Sequence, residues 1–223
     1  MKRTFEAVLI AAAVLWTAPA FAQTSGAAAQ SAPLFDGRYL GVNFGVAVVE
    51  KASGMFGLDG GWKFKEHLDV IGELFWAQNV VTRKQLDSAQ SLATYIGQTQ
   101  NGSGSGSAKM SGLYGGLGVR WVFDREAKYK PYALVTVGGA RMSVKPKFEL
   151  NGSDITGNVT QYGVTLGEDL DGTSGAFAAT FGAGIVMDWK AYYIEGGVRL
   201  TRFNRPEQAA NAARLLVGFG YRF

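Results

Sequence analysis

The chain contains no cysteine. That excludes a disulfide framework and thiol chemistry. It contains one histidine, His67, so a metal site would rest almost entirely on carboxylates. Beyond residue 22 no apolar stretch reaches the roughly 20 residues that a membrane-spanning helix needs. An excess of one charge is missing too. There are 22 Lys+Arg against 18 Asp+Glu, too even a balance to argue for nucleic acid as a partner.

The first residues follow the order of an export leader. Lys2 and Arg3 are positive, Ala7 to Trp16 is apolar, and Pro19 precedes Ala20-Phe21-Ala22. The run is too short to span a bilayer, so residues 1–22 are expected to be a signal peptide cleaved after Ala22. Removing them leaves 201 residues with a net charge of +3, enough for one domain. Residues 23–34 are small and polar and read as a flexible segment, so the domain spans 35–223.

What the domain has in quantity is glycine, 31 residues in the chain, together with aromatics and period-two alternation. From Arg38 to Val49, Leu40, Val42, Phe44, Val46 and Val48 alternate with Tyr39, Gly41, Asn43, Gly45 and Ala47. That is the period of a strand. Similar contrasts recur seven more times, imperfectly in the third segment, where Ile71 and Phe75 fall on the face of Asp69 and Glu73. Phe56, Leu58, Trp62 and Phe64 oppose Asp59, Gly61 and Lys63. Leu113, Leu117, Val119 and Trp121 oppose Tyr114, Gly116, Gly118 and Arg120. Leu215, Val217, Phe219, Tyr221 and Phe223 oppose Arg214, Gly218, Gly220 and Arg222. The fifth segment is ambiguous; Tyr132, Leu134, Thr136 and Met142 are assigned outward, with Gly139 and Arg141 inward.

Each segment is about ten residues, enough for a tilted strand to cross a bilayer. Connectors alternate in length. Those near 65–68, 124–131 and 189–191 are short, while 83–108 and 149–174 are long. The expected fold is all-β: an eight-stranded antiparallel up-and-down transmembrane β-barrel. With a periplasmic N-terminus, both termini are periplasmic and the long connectors lie outside.

Volume decides which face points out. Eight strands enclose little more than their own side chains. The aromatic and branched face does not fit inside; the face of glycine and a few charges does. The lumen is therefore expected to hold a network of paired charges: Asp59, Lys63, Glu73, Arg120, Arg141, Glu195, Arg199 and Arg222. Trp62, Phe64, Trp121, Phe123, Tyr132, Trp189 and Tyr192 cluster at the short-turn ends, as in an aromatic girdle.

Catalytic chemistry finds little support. His67 falls in a short turn, and Ser53 is placed across the membrane from it, so no His–Ser pair forms. Glu168, Asp169 and Asp171 lack calcium-loop spacing and read as a solvated loop. The Gly-Ser run 102–107 is a flexible loop section rather than a phosphate cradle. No enzyme activity, cofactor or metal is expected.

The chain resembles the small outer-membrane β-barrel family that includes the 25/31 kDa rhizobial-type surface proteins, opacity-like proteins and outer membrane protein X. The resemblance rests on Gly37-Arg38-Tyr39-Leu40-Gly41, Lys130-Pro131-Tyr132, Tyr193-Ile194-Glu195-Gly196-Gly197-Val198-Arg199 and Gly218-Phe219-Gly220-Tyr221-Arg222-Phe223. It implies a place in the cell outer membrane and a mostly non-enzymatic role. It also implies that Phe219, Tyr221 and Phe223 are the signal read by the barrel assembly machinery. The function expected is a monomeric structural barrel whose external loops contact lipopolysaccharide or host surfaces. The alternative is a narrow channel or small-molecule entry barrel. By parity Lys84, Lys109 and Arg202 face outward at the external rim, where lipopolysaccharide phosphates would lie.

Overall fold

The computed structural model describes residues 37–167, 170, 172–205 and 209–223. The expected leader and flexible segment, together with Glu168, Asp169 and Asp171, lie outside the described residues. Among the described residues nine strands form: β1 Arg38–Val48, β2 Ala52–Lys63, β3 Leu68–Ala77, β4 Gly104–Val122, β5 Tyr129–Leu150, β6 Ser153–Asp154, β7 Gly172–Trp189, β8 Tyr192–Asn204 and β9 Ala209–Arg222. A helix, α1, spans Arg83–Thr99. Eight strands run β4-β3-β2-β1-β9-β8-β7-β5, and the β4–β5 pairing closes the ring. β6 is a two-residue addition at the far end of β5. All pairings are antiparallel, and β1 meets β9 with Asn43 opposite Gly218 and Leu40 opposite Tyr221. Closure removes the sheet edges from the ring itself; edges remain only on the β4–β5–β6 extension beyond it.

The alternation in the sequence becomes inside and outside. Leu117, Phe181 and Leu215 point away from the barrel at 69%, 60% and 64% exposure. Tyr39, Tyr114 and Tyr193 point in and are buried. Inward glycines make room for these rings. The Tyr132 hydroxyl lies where side chains at Gly184 and Gly197 would otherwise stand, and the Tyr193 ring covers Gly41 and Gly220.

β5 reverses the expected faces. Tyr132, Leu134, Thr136 and Met142 are buried inside, while Gly139 and Arg141 are exposed outside. Register explains it: β5 pairs Leu134 with Arg120 and Met142 with Gly112, both inward positions of β4. The Tyr132 and Thr136 hydroxyls then reach lumen carboxylates. Tyr132 accordingly leaves the expected girdle, whereas Trp62, Phe64, Trp121, Phe123, Trp189 and Tyr192 are exposed outside.

The long connectors are more ordered than expected. Residues 83–99 form α1, which begins at Thr82, whose N–H donates to Gln85 Oε1 at 3.1 Å. Ala89, Ala93 and Ile96 fall on its buried side. That side rests on the inward face of β4, so closely that a Cβ at Gly106 or Gly104 would strike the carbonyls of Ala89 and Ala93. β4 and β5 continue well past the other strands. β5 turns into β6 through Asn151 (φ 51°) and Gly152 (φ 80°), the two left-handed residues of a tight hairpin.

Candidate functional site

The lumen has two levels. Towards the end that carries the described C-terminus, charges fill it. Asp69 on β3 accepts from Arg120 on β4 at 3.2 Å and also from Arg125. Arg120 reaches Glu195 on β8 at 3.5 Å. Arg199, four residues along β8 on the same face, bonds Glu195 at 2.9 Å and Glu73 on β3 at 2.6 Å. Arg214 on β9 lies 3.4 Å from Glu73. The result is an alternating line, Arg125–Asp69–Arg120–Glu195–Arg199–Glu73–Arg214, in which each inner member touches two opposite charges.

Neutral groups complete the shell. Tyr132 donates to Glu195 at 2.6 Å and Thr136 to Glu73 at 2.5 Å. Asp59 accepts from Asn43 at 2.7 Å. The Arg120 guanidinium lies over the rings of Tyr39 and Tyr132, 4.5 and 5.5 Å from their centroids. Nearer the short turns, Lys130 pairs with Asp188 at 2.6 Å, and Arg222 pairs with the same carboxylate. Burial of charge is tolerable only with such partners.

The other level is apolar. Met55, Phe75, Tyr114, Met142, Phe148 and Phe203 belong to one buried cluster, which Val80, Val81 and the Ala89–Ala93–Ile96 side of α1 cover. Arg120, Arg214, Tyr114 and Met142 are each sealed from solvent. The expectation of a charged lumen therefore describes only one half of it.

Glu73, Arg120, Glu195 and Arg199 form the centre of the charge line; Asp59 and Arg222 flank it, and Lys63 is half-buried at the end of β2. Arg141 is not in the lumen but on the outer wall. Asp69, Arg125, Lys130, Asp188 and Arg214 join the network beyond the residues expected from sequence. Period two already puts Asp69, Asp188 and Arg214 on the inner face; Arg125 sits in a turn, where no parity applies. Phe219, Tyr221 and Phe223 form an outward ladder, with Tyr192 stacked on Phe219 at 5.4 Å. His67 lies in the 64–67 turn, 3.1 Å from the Val122 carbonyl and stacked on Trp121 at 5.7 Å. Ser53 is at the opposite end, bonded to the Asn79 carbonyl at 2.7 Å. Among the described residues no three His, Asp or Glu side chains converge as metal ligands.

The outer wall changes character along β4 and β5. Phe44, Phe56, Trp76, Leu113 and Arg141 are successive partners in one row. Two residues beyond it, Ser111 pairs with Ser143, then Lys109 with Lys145, then Ser107 with Lys147. Lys147 is held by Glu149 at 2.7 Å, and that hydrogen bond keeps its ammonium above the ordinary lysine pKa. Lys84 is exposed on α1, where strand parity does not apply, and Arg202 on β8 donates to Asn204 at 3.1 Å.

A closed antiparallel ring with a greasy exterior and paired charges buried in its lumen is a transmembrane β-barrel. A surface of Leu, Phe, Val and Trp of this extent has only hydrocarbon as a suitable solvent. No family profile matches the chain, and no curated protein sequence does. Solved structures do match. Neisserial surface protein A shares 11% identity over 83% of this chain and 96% of that one, with a TM-score of 0.51. The attachment invasion locus protein Ail of Yersinia pestis shares 13% over 84% and 97%, with a TM-score of 0.44. The outer membrane enzyme PagL shares 13% over 82% and 99%, also at 0.44. At these identities the likeness is one of fold: the chain is built like the small outer-membrane β-barrels.

Proposed function

We propose that the protein is a structural outer-membrane barrel that does not conduct. It is exported by residues 1–22, sits with its short turns in the periplasm, and presents α1 and the β4–β5 extension to the exterior. One observation carries the reading. The charge line from Arg125 to Arg214 and the apolar cluster under α1 lie one above the other in the same lumen. A solute would have to break buried ion pairs and then displace a packed core. Breaking one such pair costs about 3–5 kcal/mol. The greasy exterior supports a lipid-embedded monomer, because the eight strands pair into a closed ring within the wall that faces lipid. The separation of His67 from Ser53 supports a non-catalytic role. Contacts of the exposed cations, Lys109 and Arg202 on the wall and Lys84 on α1, with lipopolysaccharide phosphates belong to the same reading.

Planar-bilayer recording tests it. Purified protein is expected to insert silently. Steady, reproducible unitary openings would instead favour the narrow channel.

A further inference from the structure

Three cations on the outer wall stand apart from the lumen network. Lys109 and Lys145 are exposed and directly opposite each other across β4–β5. Arg141 is exposed four residues further down β5. Among the described residues no carboxylate lies within ion-pair distance of any of the three, whereas neighbouring Lys147 has Glu149. Like charges placed directly opposite in a sheet destabilise it unless an anion lies between them. Ser143 pairs with Ser111 and follows Arg141 by two positions, so a hydroxyl row separates Arg141 from the lysines.

The wall around Arg141 is also open. Gly175 is its partner on β7, and Gly139 lies two residues below it. Both glycines face outward, and a Cβ at either would meet nothing within 4 Å. Phe177 stands directly opposite Gly139 and borders this gap, and Val137, two residues below Gly139, continues the apolar wall. The surface thus has cations and hydroxyls at one end and a bare, apolar trough at the other, at the border where the greasy exterior ends. An isolated phosphate needs only the first part. A molecule with a phosphorylated head and an acyl chain uses both.

We propose that Lys109, Lys145 and Arg141, with Ser143, form a binding site for the phosphate of a phosphorylated membrane lipid, whose acyl chain lies over Gly139 and Gly175. The proposal rests on the outer-membrane reading for which leaflet supplies the lipid. It moves the anion contact from the set Lys84, Lys109 and Arg202 to one contiguous patch. Arg202 is two strands away from Arg141 and already donates to Asn204.

The test is native mass spectrometry of the barrel released from detergent, titrated with bisphosphorylated lipid A. Parallel titrations use the dephosphorylated lipid and inorganic phosphate. The wild type is expected to hold about one equivalent of lipid A, and about tenfold less of the dephosphorylated form, because charge-assisted bonds to phosphate are lost. The K109Q/R141Q/K145Q variant is expected to lose about tenfold while keeping its heat-modifiable gel mobility. A charge-preserving variant, Gly139→Val with Gly175→Val, fills the trough and should weaken lipid A by at least about threefold. Binding unchanged in the triple variant, equal binding of the dephosphorylated lipid, or inorganic phosphate binding as tightly as the lipid would each overturn the site. Cell fractionation separates the two readings. Absence from the outer membrane would defeat the proposed function and leave the detergent titration standing.

Discussion

The Arg214 guanidinium lies over the Phe75 ring, 3.7 Å from its centroid, and this contact joins the two levels of the lumen. On one side Arg214 donates to Thr201 at 2.9 Å and lies 3.4 Å from Glu73. On the other, Phe75 packs on Tyr114 at 5.0 Å and Phe203 at 6.5 Å. A cation over an aromatic face keeps part of its electrostatic stabilisation while giving up water. The residue is thus suited to end a charge line against an apolar core.

Glu73 is the acceptor on which that line converges. Glu73→Gln leaves Arg199 and Arg214 short of a buried negative charge and is expected to destabilise the barrel by about 3–5 kcal/mol. Adding Arg214→Leu removes one of the orphaned cations and should recover part of the loss. Urea unfolding in detergent micelles, followed by tryptophan fluorescence, measures both. Equal stability of E73Q and wild type would show that the line is not closed as described.

Leu117 tests the solvent of the outer face. It is 69% exposed, and in water an exposed leucine tolerates a charge. In a bilayer Leu117→Arg should cost about 2–4 kcal/mol if it sits near the midplane. Folding into vesicles of a short-chain phosphatidylcholine, compared with wild type, gives the value. A neutral outcome would place this face in water.

Gly196 and Gly197 are adjacent and face opposite ways. A Cβ at Gly197 would stand 2.7 Å from the Tyr132 hydroxyl and 3.0 Å from the Ala183 carbonyl, while one at Gly196 meets nothing within 4 Å. Gly197→Ala is expected to destabilise by about 1–3 kcal/mol, and Gly196→Ala by no more than about 0.5 kcal/mol. The same unfolding assay distinguishes them, and equal effects would contradict the inward placement of Tyr132.

Much of this is legible in the sequence because most barrel strands keep an unbroken row of bulky residues on one parity, although β3 also carries Ile71 and Phe75 on the inner one. β9 is the plainest, with Leu215, Val217, Phe219 and Tyr221 against Gly218 and Gly220. β5 is not legible that way. Tyr132, Leu134 and Met142 are as bulky as Val135 and Val137, so hydrophobicity favours neither face, and only pairing with β4 decides. That ambiguity lets parity alone put Arg141 in the lumen, where the register with β4 does not. α1 escapes strand parity because its apolar residues, Leu86, Ala89, Leu92, Ala93 and Ile96, follow no period of two and lie among many polar ones. Its periodicity is helical, and Thr82 with Gln85 three residues on is a capping signal the sequence did contain. Asn151-Gly152 was a hairpin signal too. Partner choice in the lumen was beyond parity. Glu73 and Arg199 are 126 residues apart in sequence and meet because the ring closes between β1 and β9 and between β4 and β5.

The central claim is that the bulky side chains face hydrocarbon. Trp62, Trp76, Trp121 and Trp189 all lie on the outer wall at 45–65% exposure. Folding the chain lacking residues 1–22 into vesicles of brominated phosphatidylcholine tests it directly, because bromine quenches tryptophan only on contact. Strong quenching relative to unbrominated vesicles is the predicted result. Unquenched emission, from a protein equally well folded in detergent-free buffer, would contradict the account.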